Sequence, residues 1–84
     1  MYEVKFTPKG KRDLKKLSKD IRSRVVKKLE FYSKEPDPLE FSKPLVDLPP
    51  ATHRFKVGSY RIAFYIEEKI IFIVRIRHRK DIYR

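Results

Sequence analysis

The sequence predicts an α+β domain: a small, twisted, antiparallel-rich sheet in β-α-α-β-β-β order, with an amino-terminal helical hairpin packed on one face. Three observations predict it. Leu14, Leu17, Ile21, Val25 and Leu29 recur at three- and four-residue intervals, which lines one side of helical segments. Three runs nearer the carboxyl end, 53–57, 60–66 and 70–77, instead alternate with period two between short turns, as adjacent antiparallel strands do. Between these halves lie five of the six prolines, Pro36, Pro38, Pro44, Pro49 and Pro50. At 84 residues the chain, 1–84, has room for one domain with a modest core.

Tyr2-Glu3-Val4-Lys5-Phe6 alternates apolar with polar and reads as a first strand. Thr7 and Pro8 then open a helix, because Thr7 caps an orphan backbone N–H and Pro8 sits where its own missing N–H is not needed. Ser18, followed by Asp20, is a second N-cap that splits the helical pattern into 8–17 and 19–34. The two helices form a hairpin that covers one sheet face. The proline-stiffened stretch 35–51 is expected to be irregular, neither helix nor strand, tied down by Leu39, Phe41, Leu45, Val46 and Leu48.

Gly58-Ser59 is a two-residue hairpin signal, since glycine at the first turn position accepts the positive φ of a type II′ turn. That register sets Val57 against Tyr60, Phe55 against Ile62, Lys56 against Arg61 and Arg54 against Ala63. The second turn holds Glu67-Glu68 or one residue more. Parity chooses between them, because a one-residue slip flips every side chain. A two-residue Glu67-Glu68 turn would put Arg75 and Arg77 on the apolar face of Ile62, Phe64 and Ile66. An odd-length turn groups Ile70, Phe72, Val74 and Ile76 with that face and leaves Arg61, Arg75 and Arg77 on the other. The result is a face carrying Arg54, Lys56, Arg61, Arg75 and Arg77, with no carboxylate of matching parity except at the turn. Arginines converging on one face suit bidentate phosphate recognition.

The whole chain has the same sign, with 22 Lys and Arg against 11 Asp and Glu and a net charge of +11. A polyanion is the expected partner: nucleic acid, an anionic membrane or an acidic protein segment. No apolar run reaches the ~18 residues of a spanning helix, and the amino terminus lacks a signal-peptide pattern, so a cytoplasmic protein is expected. The absence of Cys excludes disulfides and thiolate chemistry. His53 and His78 lack metal-ligand spacing and no carboxylates cluster, so no metal or other cofactor is expected. No Asn or Gln occurs and 39% of residues are charged, the bias of heat-stable proteins. On the helices Lys11, Arg12, Lys15, Lys16, Lys19, Arg22, Arg24, Lys27 and Lys28 face outward against only Asp13, Asp20 and Glu30. They form either an ordinary solvated surface or a second contact with RNA phosphates. Lys11, Lys15 and Arg22, with Arg75, Arg79 and Lys80, are the RNA-binding candidates.

The helical hairpin, Tyr60-Arg61 after a glycine turn, and His78-Arg79-Lys80-Asp81-Ile82-Tyr83 together resemble the RelE/ParE superfamily of toxins of type II toxin–antitoxin systems, in its RelE branch. The resemblance spans essentially the whole chain and is most specific over 54–61 and 75–83. It implies a ribosome-dependent, metal-independent endoribonuclease that cuts messenger RNA and so inhibits translation. It also implies a cognate antitoxin that holds the toxin inactive, operator DNA reached only through that antitoxin, and no membrane. Position by position, Arg54 and Lys56 match the basic pair before the glycine turn, Arg61 the arginine of the Tyr-Arg pair, Arg77 the arginine of the last strand, and Tyr83 the tyrosine near the carboxyl end. These five are the catalytic residues the resemblance assigns. The sequence departs from it at Leu48-Pro49-Pro50-Ala51, where many relatives place a glycine, and it stops at Arg84, so no carboxyl-terminal helix or tail is expected.

The implied chemistry is attack of a ribose 2′-hydroxyl on the adjacent phosphate, with Arg61 and Arg77 stabilising charge on the phosphoryl oxygens. The proton carrier stays open. Lys56 is one candidate, because a crowded positive site disfavours a charged ammonium. Tyr83 and His78 are the others, imidazole being suited to proton transfer near neutrality. Tyr83 alternatively stacks on a base, and beyond Tyr65 and Tyr83 few exposed aromatic groups are expected to do so. Two other functions share the face: a ParE-like toxin that inhibits DNA gyrase by binding, and a non-catalytic RNA-binding module.

Overall fold

The computed structural model describes residues 1–82. It runs β1 (Glu3–Phe6), α1 (Pro8–Lys16), α2 (Lys19–Ser33), a 3-10 turn (Pro38–Phe41), β2 (Lys43–Pro44), β3 (His53–Val57), β4 (Tyr60–Glu67), β5 (Ile70–His78) and α3 (Arg79–Ile82). The strands form one sheet of five in the order β1-β5-β4-β3-β2. Only β1 is parallel to its neighbour, so the sheet is antiparallel-rich as its short turns require.

Both predicted caps form. Thr7 Oγ1 accepts from the Gly10 N–H at 3.1 Å, and Ser18 Oγ accepts from the Ile21 N–H at 3.5 Å. The apolar stripe does what its spacing predicts: Val25, Leu29 and Tyr32 of α2 are buried over Phe55, Ile62, Phe64, Ile71, Ile73 and Ile76 of the sheet, with Leu14, Leu17 and Ile21 at the rim. At its centre Tyr32 stacks on Phe55 at 4.2 Å and Phe55 on Phe64 at 4.0 Å. Burial of its ring pushes the Tyr32 phenol above its ordinary pKa.

The first hairpin has the predicted register and turn, with Gly58 alone in the left-handed region at φ 59°. The second differs. Glu68 and Lys69, at φ 50° and 63°, form a two-residue turn of type I′, and Glu67 pairs with Ile70. Such a turn alone would bring Arg75 onto the core face. A bulge prevents this, because Ala63 opposes Arg75 while Phe64 opposes Ile73, leaving Val74 as an extra residue. Arg61, Arg75 and Arg77 therefore do share the face opposite the helices. Ile70, Phe72 and Val74 do not join the helix-covered core: Phe72 stacks on Tyr65 at 4.9 Å, and Val74 lies in a second small cluster with Ala51 and Ala63.

Helix α1 supplies the partners that the bulge leaves wanting. Thr7 donates its hydroxyl to the carbonyls of Ile73 and Val74 at 3.1 and 3.2 Å, and Asp13 Oδ2 accepts from the Ile76 N–H at 2.9 Å. The helix approaches so closely that a Cβ on Gly10 would collide with the Ile73 carbonyl oxygen.

The proline-rich stretch is more ordered than its composition predicts. Asp37 Oδ1 accepts from the Leu39 N–H at 3.2 Å to start the 3-10 turn, and Lys43–Pro44 pairs with β3 as a short edge strand, a place where proline is tolerated. Leu45 and Leu48 pack on the second cluster, whereas Val46 is 84% exposed and holds nothing down. A one-turn helix, Arg79–Ile82, follows β5, against the expectation of none, with the Arg79 N–H donating to the Ser59 carbonyl at 2.7 Å. No helix among the described residues is long and apolar enough to cross a membrane.

Candidate functional site

Pairing across three strands builds the site. Lys56 lies directly opposite Arg61, and Arg61 directly opposite Arg77, so three cations form one row across β3, β4 and β5. Directly opposed side chains stand about 5 Å apart at Cβ. The next row on the same face holds Lys43, Arg54, Ala63 and Arg75, and the buried Ala63 separates Arg54 from Arg75. Leu45, Leu48 and Ala51 cover the far half of this face, against Ala63, Val74 and Tyr65. What stays open is the basic half.

The openings flank the row on both sides. A pocket of about 300 Å³ is lined by Phe41, Lys43, Arg54, Lys56 and Arg61. Another, of about 410 Å³, lies toward α1 and is lined by residues including Asp13, Lys16, Tyr60, Arg77 and His78. The first pocket has no carboxylate in its lining, so an anion there meets only positive charge. Arg54 is steadied by donating to the Pro44 carbonyl at 2.9 Å.

Arg75 shares the face but is committed elsewhere. Its Nε donates to Asp13 Oδ2 at 2.8 Å, with Nη2 3.5 Å from Oδ1. Asp13 thus holds the Arg75 side chain and the Ile76 backbone at once, next to Arg77. His78 follows the core-face parity, opposite Tyr60 at the sheet end, and its ring meets the Tyr60 ring edge-on at 5.1 Å. Its Nδ1 accepts from the Lys80 N–H at 3.2 Å, so the neutral ring carries its proton on Nε2.

The structure thus brings together Arg54, Lys56, Arg61 and Arg77 and sets His78 at their edge. Tyr83 lies outside the described residues. Of the RNA-binding candidates, Arg22 is occupied in part by donating to the Lys15 and Leu17 carbonyls at 3.3 and 3.0 Å, where it closes the end of α1. Lys11, Lys15, Arg79 and Lys80 are exposed. No three His, Cys, Asp or Glu residues among those described converge as a metal site. Sequence reasoning missed Lys43, hidden in the proline stretch, and Asp13, whose role depends on the bulge. It also missed two exposed phenylalanines, Phe31 and Phe41. The signal for Phe31 was present, since it falls off the apolar stripe of α2.

A compact sheet backed by a helical hairpin, with a cation row on its open face, defines the class of the RelE/ParE toxins. The chain belongs to that superfamily: residues 4–83 match the family of the ParE toxin of type II toxin–antitoxin system, parDE. It is 36% identical over 85 residues to Toxin RelG of Mycobacterium tuberculosis (strain ATCC 25618 / H37Rv), a match covering 99% of this chain and 97% of that protein. Among solved structures it is similar to the toxin–antitoxin complex RelBE2 from Mycobacterium tuberculosis, with a TM-score of 0.74 and 33% identity over 92% of this chain and 96% of that one. It is also similar to the intact E. coli RelBE toxin–antitoxin complex, with a TM-score of 0.72 and 26% identity over 93% and 96% of the two chains. The chain is a RelE-like toxin of a type II toxin–antitoxin system.

Proposed function

We propose that this toxin is a ribosome-dependent endoribonuclease that cuts messenger RNA in the cytoplasm and is held inactive by a cognate antitoxin. The observation that carries the reading is the row Lys56–Arg61–Arg77, three cations in direct register on the open sheet face. In the step it performs, a ribose 2′-oxygen attacks the adjacent phosphorus, the bond to the 5′-oxygen breaks, and a 2′,3′-cyclic phosphate and a 5′-hydroxyl result. Negative charge grows on the phosphoryl oxygens, and fixed guanidinium groups stabilise it without a metal ion. Lys56 and Tyr83 are the candidates for taking the 2′-hydroxyl proton. His78 is the candidate for giving one to the leaving oxygen, from its imidazolium form, in which Nδ1 carries a hydrogen and gives up its contact with the Lys80 N–H. Ordering of the RNA comes from the ribosome, because phosphate contacts give affinity without reading bases.

The match to the ParE family favours a second reading, inhibition of DNA gyrase by binding. Two assays separate them. Cleavage of messenger RNA in a translating extract, lost on Arg77→Ala, supports the nuclease. Inhibition of gyrase supercoiling without any RNA cleavage sinks it.

A further inference from the structure

Two large apolar side chains stand in solvent beside the basic face. Phe31 is 50% exposed and Phe41 42% exposed, and their rings meet edge-to-face with centroids 5.7 Å apart and planes at 78°. On the Phe31 side an open groove of about 680 Å³ is lined by Arg24, Lys27, Lys28 and Lys56. On the Phe41 side lies the pocket of Lys43, Arg54, Lys56 and Arg61. Lys56 borders both, so groove and pocket meet at its side chain, and neither lining contains a carboxylate. The Lys28 ammonium stands 5.7 Å from the Phe31 ring centroid, within cation–π range. Exposed rings interleaved with cations match a polymer that alternates phosphate with a flat base.

Resting on the nuclease reading above, we infer that Phe31 and Phe41 form a stacking platform for unpaired bases of the RNA strand that passes the Lys56–Arg61–Arg77 row. Arg24, Lys27 and Lys28 hold that strand's phosphates. Stacking adds affinity with little base preference, because every base has a π-face.

The chain contains no Trp, so Phe31→Trp installs a single fluorescent reporter. In an Arg77→Ala background the reporter is titrated with a short single-stranded RNA and, separately, with inorganic polyphosphate. The RNA is expected to quench it and polyphosphate to leave it unchanged. Phe31→Ala with Phe41→Ala should weaken RNA binding about 5- to 150-fold without changing its salt dependence. Lys28→Ala should instead reduce the slope of log affinity against log salt by about 0.7. Rescue by Phe31→Tyr but not by Phe31→Leu separates stacking from packing. Equal quenching by polyphosphate, or unchanged RNA affinity in the double variant, overturns the platform. So does a double variant that loses only its co-expressed antitoxin, which would make the rings a protein-docking surface. Messenger RNA cleavage in a translating extract is followed in parallel. Quenching without cleavage by the wild type leaves the platform and removes the nuclease, and cleavage with unchanged RNA affinity in the double variant does the reverse.

Discussion

Arg77→Ala should move activity and stability in opposite directions. Arg77 lies opposite Arg61, which in turn lies opposite Lys56, so truncation removes one end of a row of like charges. At about 5 Å two unit charges repel by about 0.8 kcal/mol in a medium like water, within the about 0.2–1 kcal/mol by which cross-strand side-chain pairs act on sheets. For a domain of this size each kcal/mol moves the melting midpoint by about 4–8 °C, so the variant should melt about 1–8 °C higher. Loss of a donor aimed at transition-state charge should meanwhile lower the cleavage rate by about 10²–10³-fold. Melting curves taken across a salt series, alongside cleavage in a translating extract, test both arms. Salt should raise the midpoint of the wild type more than that of the variant, because only the former has the full repulsion to screen. A variant that melts lower, or one that cleaves at the wild-type rate, would refute the register of β5 or the nuclease reading respectively.

Three further outcomes follow from the packing. Phe64→Ala removes the fully buried outer ring of the Tyr32–Phe55–Phe64 stack and should cost about 3–5 kcal/mol, whereas Phe72→Ala on the other face should cost distinctly less; chemical denaturation of both decides. Asp13→Ala leaves the Ile76 N–H and Arg75 without their acceptor and should cost about 1–3 kcal/mol, with Asp13→Asn milder because its amide oxygen still accepts, as thermal melting of the pair would show. For Tyr32 the folded-state pKa is raised, so the folded protein holds that proton more tightly than the unfolded chain. Its contribution is therefore present below pH 10.0 and falls as pH rises beyond it, and Tyr32→Phe should flatten the alkaline limb of stability against pH.

The parts of this fold that were legible in the sequence are those whose signals are local. Thr7-Pro8, Ser18 and Gly58-Ser59 each fix a cap or turn through their own backbone preferences, and the hairpin register of β3 and β4 follows from the last of them. The second turn was not legible, because Glu68 and Lys69 occupy left-handed positions that usually take Asn or Gly. Nor does any residue near Val74 announce a bulge. The need for one appears only when β5 must satisfy Thr7 and Asp13 of α1 and β4 at once, a tertiary condition. The short strand Lys43–Pro44 was obscured for a similar reason, since an edge strand needs only one partner and so tolerates the proline that argues against it. The cation row, by contrast, was found from parity alone. Burying Arg75 and Arg77 costs too much whichever device prevents it, so the row follows from the alternation of β5 even without knowledge of the bulge.

That device makes the site depend on a single residue. With the two-residue Glu68-Lys69 turn and no bulge, continuing the ladder beyond Phe64 and Ile73 would set Val74 opposite Ala63, Arg75 opposite Ile62, Ile76 opposite Arg61 and Arg77 opposite Tyr60. Two guanidinium groups would then point at the helix-covered core, and Ile76, now 5% exposed, would point away from it. Unpaired charges in a core are too costly for a domain whose total stability is about 5–15 kcal/mol. Deletion of Val74 should consequently abolish folding or force β5 to slip by one residue, rather than trim one small side chain. Val74→Ala keeps the extra residue, and with it the alignment of Arg77 beside Arg61, and should cost only the loss of a small buried side chain. Circular dichroism and translation-dependent cleavage on the two variants separate these outcomes. If the deletion folds cooperatively and still cleaves, the bulge is not what aligns Arg77 with Arg61, and the parity account of the basic face is wrong.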